Sequence, residues 1–196
     1  MPGKKRVSYV WDPDTKTAWY GENHPMKPQR LSMTHELVQG YGMLSGQLGC
    51  GMQVVRPVPA TKDYTTLFHS QQYMDFLESC TEDAMKAVKS GDGEKPECNV
   101  GQQDDVPFFD GVWDYSTRVC GGTVLGANML CNKDVDISIH WAGGLHHAKR
   151  TQASGFCYIN DIVLAILELL KVHARVLYVD IDIHHGDGVE EAFYTT

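Results

Sequence analysis

Four short apolar runs, at Val7–Val10, 52–58, 135–140 and 176–183, alternate along the chain with stretches of helical periodicity. No hairpin signal joins one run to the next, so consecutive runs do not pair through tight turns. Strands that return to a sheet through helices run parallel, and such sheets are covered on both faces. The pattern predicts an α/β fold with a parallel sheet flanked by helices. Apolar spacing places the helices at 31–48, 61–89, 113–131, 160–170 and from 189 onward, with Asn160 capping the fourth. In the third, Gly121, Gly122, Gly126 and Ala127 predict close approach of a neighbouring backbone. Residues 90–107 have no periodicity and read as a surface loop long enough for a functional role.

Of the 196 residues, 42% are hydrophobic and 21% charged, which suits one domain with a sizeable core and excludes a disordered chain. The 17 Lys and Arg against 25 Asp and Glu leave a net charge of −8. That balance argues against a duplex-DNA binder and leaves room for a basic partner or cationic substrate. No run nears the roughly 20 apolar residues of a membrane span; the longest, 162–170, is broken by Glu168. The opening Met1-Pro2-Gly3-Lys4-Lys5-Arg6 leads into a strand and not into an apolar signal region. Cys50, Cys80, Cys98, Cys120, Cys131 and Cys157 form no C-x-x-C pair and are expected as reduced thiols of a cytosolic or nuclear protein.

Chemistry concentrates in Asp180-Ile181-Asp182-Ile183-His184-His185-Gly186-Asp187-Gly188. On a strand, Asp180, Asp182 and His184 share a face. Carboxylates in an apolar strand need a metal or hydrogen bonds to stabilise them, and carboxylate with imidazole suits zinc or a similar divalent ion. The bland alternative is a pair of aspartates capping the next helix, with solvated histidines. A second cluster, Trp141-Ala142-Gly143-Gly144-Leu145-His146-His147, also follows a strand. Adjacent histidines there read as a proton-transfer pair, with Asp180 and Asp187 as the carboxylates for their second ring nitrogens. Phe156, after Gly155, lines a narrow channel or packs in the core. Cys157 has no cation or paired cysteine nearby in sequence, and no nucleophile elbow or phosphate loop is found.

The stretches from His140 to Lys149, Ser154 to Tyr158, Asp180 to Asp187 and Asn23 to Pro28 together resemble the zinc-dependent class I histone deacetylases, of the arginase/deacetylase superfamily. The resemblance runs from Val7 to Thr196 and implies the arginase/deacetylase α/β fold. It implies hydrolysis of N6-acetyl-lysine in histones, with a role in chromatin regulation and transcriptional repression. Asp182 and His184 would be zinc ligands. His147, paired with Asp187, would be the general base, and His146, paired with Asp180, its electrostatic partner. Gly155 and Phe156 would line the acetyl-lysine tunnel, and Asp105 would hold the substrate backbone at the rim. The loop around Asp105 is longer than usual, so Asp104 rivals it. Lys27 matches a position linked to inositol phosphate and co-repressor binding, although Asn23 stands where glycine is common.

By the same resemblance the cofactor is Zn2+, with K+ as an optional structural ion. The partners are acetylated histone tails and co-repressor proteins, with no sequence-specific nucleic-acid or membrane binding, and the location is the nucleus, with the cytoplasm also open. The family's third zinc ligand and its transition-state tyrosine lie beyond Thr196. The 196 residues are therefore expected to be a single, truncated domain, the amino-terminal half of a catalytic domain and inactive by itself. Two rival readings stand beside this one. The first is a non-catalytic fragment that docks to co-repressors. The second is a two-metal ureohydrolase of arginase type, disfavoured because Gly186 stands where a second carboxylate is wanted.

Overall fold

The computed structural model describes residues 4–46, 51–81, 83, 86 and 98–196. Strands β1 (Val7–Val10), β2 (Gln53–Val55) and β3 (Ile137–His140) form one sheet in the order β2–β1–β3. Both pairings are parallel, with Tyr9 opposite Val54 on one side and Ile139 on the other. The helices are α1 (Gln29–Gly40), α2 (Lys62–Thr65), α3 (Gln71–Ser79), α4 (Val112–Cys131), α5 (Asp161–Leu170) and α6 (Asp187–Phe193). A 3-10 turn at Pro13–Thr17 starts at Asp12, whose carboxylate accepts the Asp14 amide.

Alternation along β1 assigns the two faces. Tyr9 meets His35 of α1, with ring centroids 5.7 Å apart, and Trp11 stacks on the same imidazole at 4.1 Å. On the opposite face, Ser8 Oγ donates to Ser138 Oγ at 2.8 Å, and α4 lies against this side. The glycines of α4 are what allow it. A Cβ at Gly126 would stand 2.6 Å from Ser138 Oγ, and one at Gly122 would stand 2.6 Å from His140 Nε2. Those two glycines admit side chains of β3, while the backbone approach expected of this helix is made at Gly121, where a Cβ would stand 3.0 Å from the Ala60 amide nitrogen. The buried core gathers Tyr73, Met74, Leu77, Val112, Val119 and Leu164 from α3, α4 and α5. No helix among the described residues is long and apolar enough to cross a membrane.

Boundaries differ from expectation in several places: β2 and β3 are shorter than the runs 52–58 and 135–140, and α6 begins at Asp187 and not at Val189. Helix α1 stops at Gly40, and Gly42, with φ of 67°, turns the chain. The stretch expected as one helix over 61–89 divides into α2 and α3, with Ser70 accepting the Tyr73 amide to start α3. The end of that stretch, Cys50 and residues 90–97 of the loop lie outside the described residues. The apolar run 176–183, expected as the fourth strand, forms no strand: the chain bends at 182–184, and among the described residues the run has no ladder partner. Its neighbour is a cleft of about 700 Å3 lined by Ser138 and His140 on one wall and by Val179, Asp180, Ile181 and Asp182 on the other. A strand exists only with a hydrogen-bonded neighbour, and across that gap there is none.

Candidate functional site

The turn that follows β3 delivers His146 and His147 side by side, ring centroids 4.0 Å apart. Each imidazole takes its own carboxylate. His146 Nδ1 lies 2.8 Å from Asp180 Oδ2, and His147 Nδ1 lies 2.6 Å from Asp187 Oδ1. A carboxylate on Nδ1 fixes the ring's orientation and tautomer, leaving Nε2 as the nitrogen for proton exchange. The pairing expected from sequence is met in both dyads.

The two carboxylates have different company. Asp180 also accepts the Tyr178 hydroxyl and the Asp182 amide. Burial works to raise the Asp180 carboxyl, but the hydrogen bonds from Tyr178, His146 and the Asp182 amide outweigh it and hold it down at about 2. Asp187 instead shares its charge with Lys149, whose Nζ stands 2.7 Å from Oδ2 and 3.0 Å from Glu191. Burial raises the Asp187 carboxyl, and the bonds from Lys149 and His147 override it, lowering it overall. Sequence reading singled out neither Tyr178 nor Lys149. Tyr178 carried a signal, since it precedes Asp180 by the same two-residue alternation that joins 180, 182 and 184.

Asp182 and His184 stand beside the dyads. His184 Nδ1 is 3.1 Å from Asp182 Oδ1, and the His184 ring lies 6.1 Å from that of His147. Their side chains are 53% and 74% exposed, open to an incoming ion. A carboxylate oxygen and an imidazole nitrogen suit zinc, but a catalytic zinc takes three protein ligands. Among the described residues no group of three or more His, Cys, Asp or Glu is gathered to hold a metal. The donors fit the ion in kind and would fill only part of its coordination.

Gly155 lies against His147, with Phe156 next to it. A Cβ at Gly155 would stand 2.8 Å from Cγ of His147, so only glycine lets the chain cross the ring. Phe156 adopts φ of 71°, a conformation bulky residues rarely take. Its main chain is held on both sides: the amide donates to the Asp105 carbonyl at 3.1 Å, and the carbonyl accepts the Tyr20 hydroxyl at 3.2 Å. His24 packs edge-on against Phe156, centroids 4.6 Å apart, with Nε2 3.4 Å from the Asp105 carbonyl. The loop bearing Asp105 is thereby tied to the segment over His147. Asp105 is half-buried and Asp104 exposed. Lys27 donates to the carbonyls of Gly21 and Glu22 at 3.1 and 2.7 Å, with Nζ 5.2 Å from the Trp19 ring centroid. Burial pushes the Cys157 thiol up to about 12, which suits the inert role expected of it.

Residues 24–196 match the family described as histone deacetylase domain. The chain is 51% identical over 193 residues to histone deacetylase HDAC1 of Drosophila melanogaster, covering 98% of this chain and 35% of that protein. Histone deacetylase RPD3 of Saccharomyces cerevisiae is 49% identical over 193 residues, with 98% and 42% covered. Histone deacetylase 1 of Oryza sativa subsp. japonica is 53% identical over 197 residues, with 98% and 35% covered. The chain thus spans between 35% and 42% of the length of these relatives.

Proposed function

The chain belongs to the histone deacetylase domain family, and from that premise we propose that it carries the proton-transfer centre of a zinc-dependent enzyme that hydrolyses N6-acetyl-lysine. The observation that carries this reading is the pair of adjacent imidazoles, each on its own carboxylate. Amide hydrolysis needs a base to take a proton from water and an acid to return one to the departing amine. His147 is the base and His146 the partner that stabilises charge. Their carboxylates support this division. Lys149 already balances part of the Asp187 charge, whereas Asp180 meets the hydroxyl and amide dipoles of Tyr178 and Asp182 besides His146.

Asp182 and His184 would contribute to holding zinc, which supplies Lewis acidity toward the acetyl carbonyl and the attacking water. Gly155 and Phe156 exclude water from the side of His147 and give an acyl-lysine chain an apolar wall. The half-buried Asp105, fastened to Phe156 through its carbonyl, is the better placed of the two candidate rim carboxylates. Acetylated histone tails, being basic, suit a chain of net charge −8. Nuclear location and co-repressor partners follow from the same reading. A role for Lys27 toward an inositol phosphate requires it to release its two carbonyl partners.

The test compares the chain as it stands with the protein extended to the length of its relatives, each loaded with zinc and given an acetyl-lysine peptide. In the extended protein, His147→Ala should cut turnover by about 10²–10⁴-fold and keep its metal, whereas Asp182→Ala should lose metal and turnover together. Metal loss in the His147 variant would mean that base and ligand are confused.

A further inference from the structure

His146 and His147 are placed by their main chain, and that main chain is held from one direction. Asp161, the first residue of α5, is fully buried and accepts three bonds: the Gly144 amide at 2.9 Å, the Leu145 amide at 2.8 Å and the Thr123 hydroxyl at 2.5 Å. Next to it, the fully buried Asn160 donates through Nδ2 to the carbonyls of His146 at 3.4 Å and Ala148 at 3.0 Å. Behind Asn160 stands His69, 2% exposed. Its Nε2 accepts the Asn160 amide at 3.0 Å, so its Nδ1 carries the proton it gives to the Lys149 carbonyl at 2.9 Å. One main-chain group from each of residues 144, 145, 146, 148 and 149 ends on these three side chains.

Helix capping does not explain this arrangement. Asn160 Oδ1 already caps α5 by accepting the Val163 amide at 3.0 Å, so the helix has no need of a buried Asp161. A carboxylate enclosed without a cation is expensive, and it is kept where its acceptors are all in use. Here they fasten the two amides immediately before His146. The hydroxyl proton of Thr123 goes to Asp161, so His140, with Nδ1 at 2.9 Å from the same oxygen, is the donor there. A Cβ at Gly143 would collide with this group, standing 3.0 Å from His140 Nδ1. The turn therefore lies directly on the Asp161 cluster.

We propose that Asp161 and Asn160, backed by His69, are positioning residues that lock the His146–His147 turn in register with Asp180 and Asp187 before substrate binds. The proposal rests on the reading of those histidines as the proton-transfer pair. Asp161 touches neither imidazole; it acts through the backbone that carries them.

The test uses the full-length, zinc-loaded protein with an acetyl-lysine peptide, together with amide hydrogen exchange. Asp161→Asn should lower kcat by about 10²-fold, the cost of a small misplacement near a reacting centre, and leave KM unchanged. The Gly144 and Leu145 amides should exchange faster while those of α4 and α5 stay protected. Asn160→Ser keeps an acceptor for the Val163 amide but gives up the two carbonyls, and should lose about thirtyfold in kcat, the equivalent of two net hydrogen bonds of ordinary strength. It decides the matter if Asp161→Asn fails to fold. A folded variant with unchanged kcat and unchanged exchange at 144 and 145 overturns the proposal. So does a loss of kcat that only follows a loss of protection across α4 and α5. If the unmodified protein turns over no substrate, the deacetylase reading fails, and the exchange at Gly144 and Leu145 still judges the clamp.

Discussion

A methyl group at residue 155 would press on the face of His147, where there is no room for it. The backbone there adds to the difficulty, since φ of +48° is costly for any residue with a Cβ. Gly155→Ala must therefore shift either the segment above or the imidazole below. The imidazole is the one that yields, because Phe156 is tied through both its amide and its carbonyl. The expected result is a fall in kcat of about 10²-fold, larger than any change in KM, with stability lowered by about 1 kcal/mol. Kinetics and a denaturant titration on the same preparation check it; unchanged kcat would show that the ring has slack. At this scale the sequence was legible wherever chemistry sits in contiguous runs. Residue type and order named Asp180 and Asp187 as the carboxylates for the two histidines, and the family resemblance supplied which takes which, His146 with Asp180 and His147 with Asp187. Lys149 and the Asn160–Asp161 clamp were not, because a charge or a cap has many bland uses until its partner in space is known.

Two histidines with enclosed rings stand at the junctions of elements: the buried His69 just ahead of α3 and the half-buried His140 as the last residue of β3. Burial pushes each imidazole down to about 4 from its ordinary 6.5, so both stay neutral in the folded protein. The sign follows from linkage. Above pH 6.5 neither state takes the extra proton, and the histidines leave stability unchanged. Between about 6.5 and 4 the unfolded chain binds a proton at each while the folded chain does not, so stability falls as pH falls. The slope reaches at most about 1.4 kcal/mol per pH unit for each histidine. Below that, Asp180, held at about 2, adds a further loss as it takes its own proton. Urea midpoints measured from pH 8 to pH 4 test this. His140→Asn, which can still donate to Thr123, should flatten the decline; an unaltered slope would mean that His140 does not titrate with unfolding. Elements were legible to the extent that local pattern decides them. The glycines of α4 announced a close contact without naming its partner, and the Asn160 cap was read correctly. The fourth strand was not, because a strand depends on its neighbour as much as on its own residues.

Across the whole molecule, apolar side chains are distributed unevenly. Leu177, Val179, Ile181 and Ile183 are 86%, 68%, 94% and 94% exposed, consecutive odd positions of one segment without regular structure. On one side lies the cleft shared with β3; on another, a cleft of about 900 Å3 is lined by Ile166, Leu170, Val176, Val189 and Phe193. Exposed apolar side chains on backbone that no strand pairs are a template for association with another chain. The 196-residue chain by itself is accordingly expected to bind a hydrophobic dye and to elute from a sizing column as mixed oligomers. Ile181→Lys and Leu177→Lys should shift it toward monomer and leave its melting temperature unchanged, since side chains this exposed contribute little burial to lose. A monomeric chain that binds no dye would require the segment to close onto the free edge of β3. In that event Ile181→Lys would lower the melting temperature, because it would put a charge into a packed sheet.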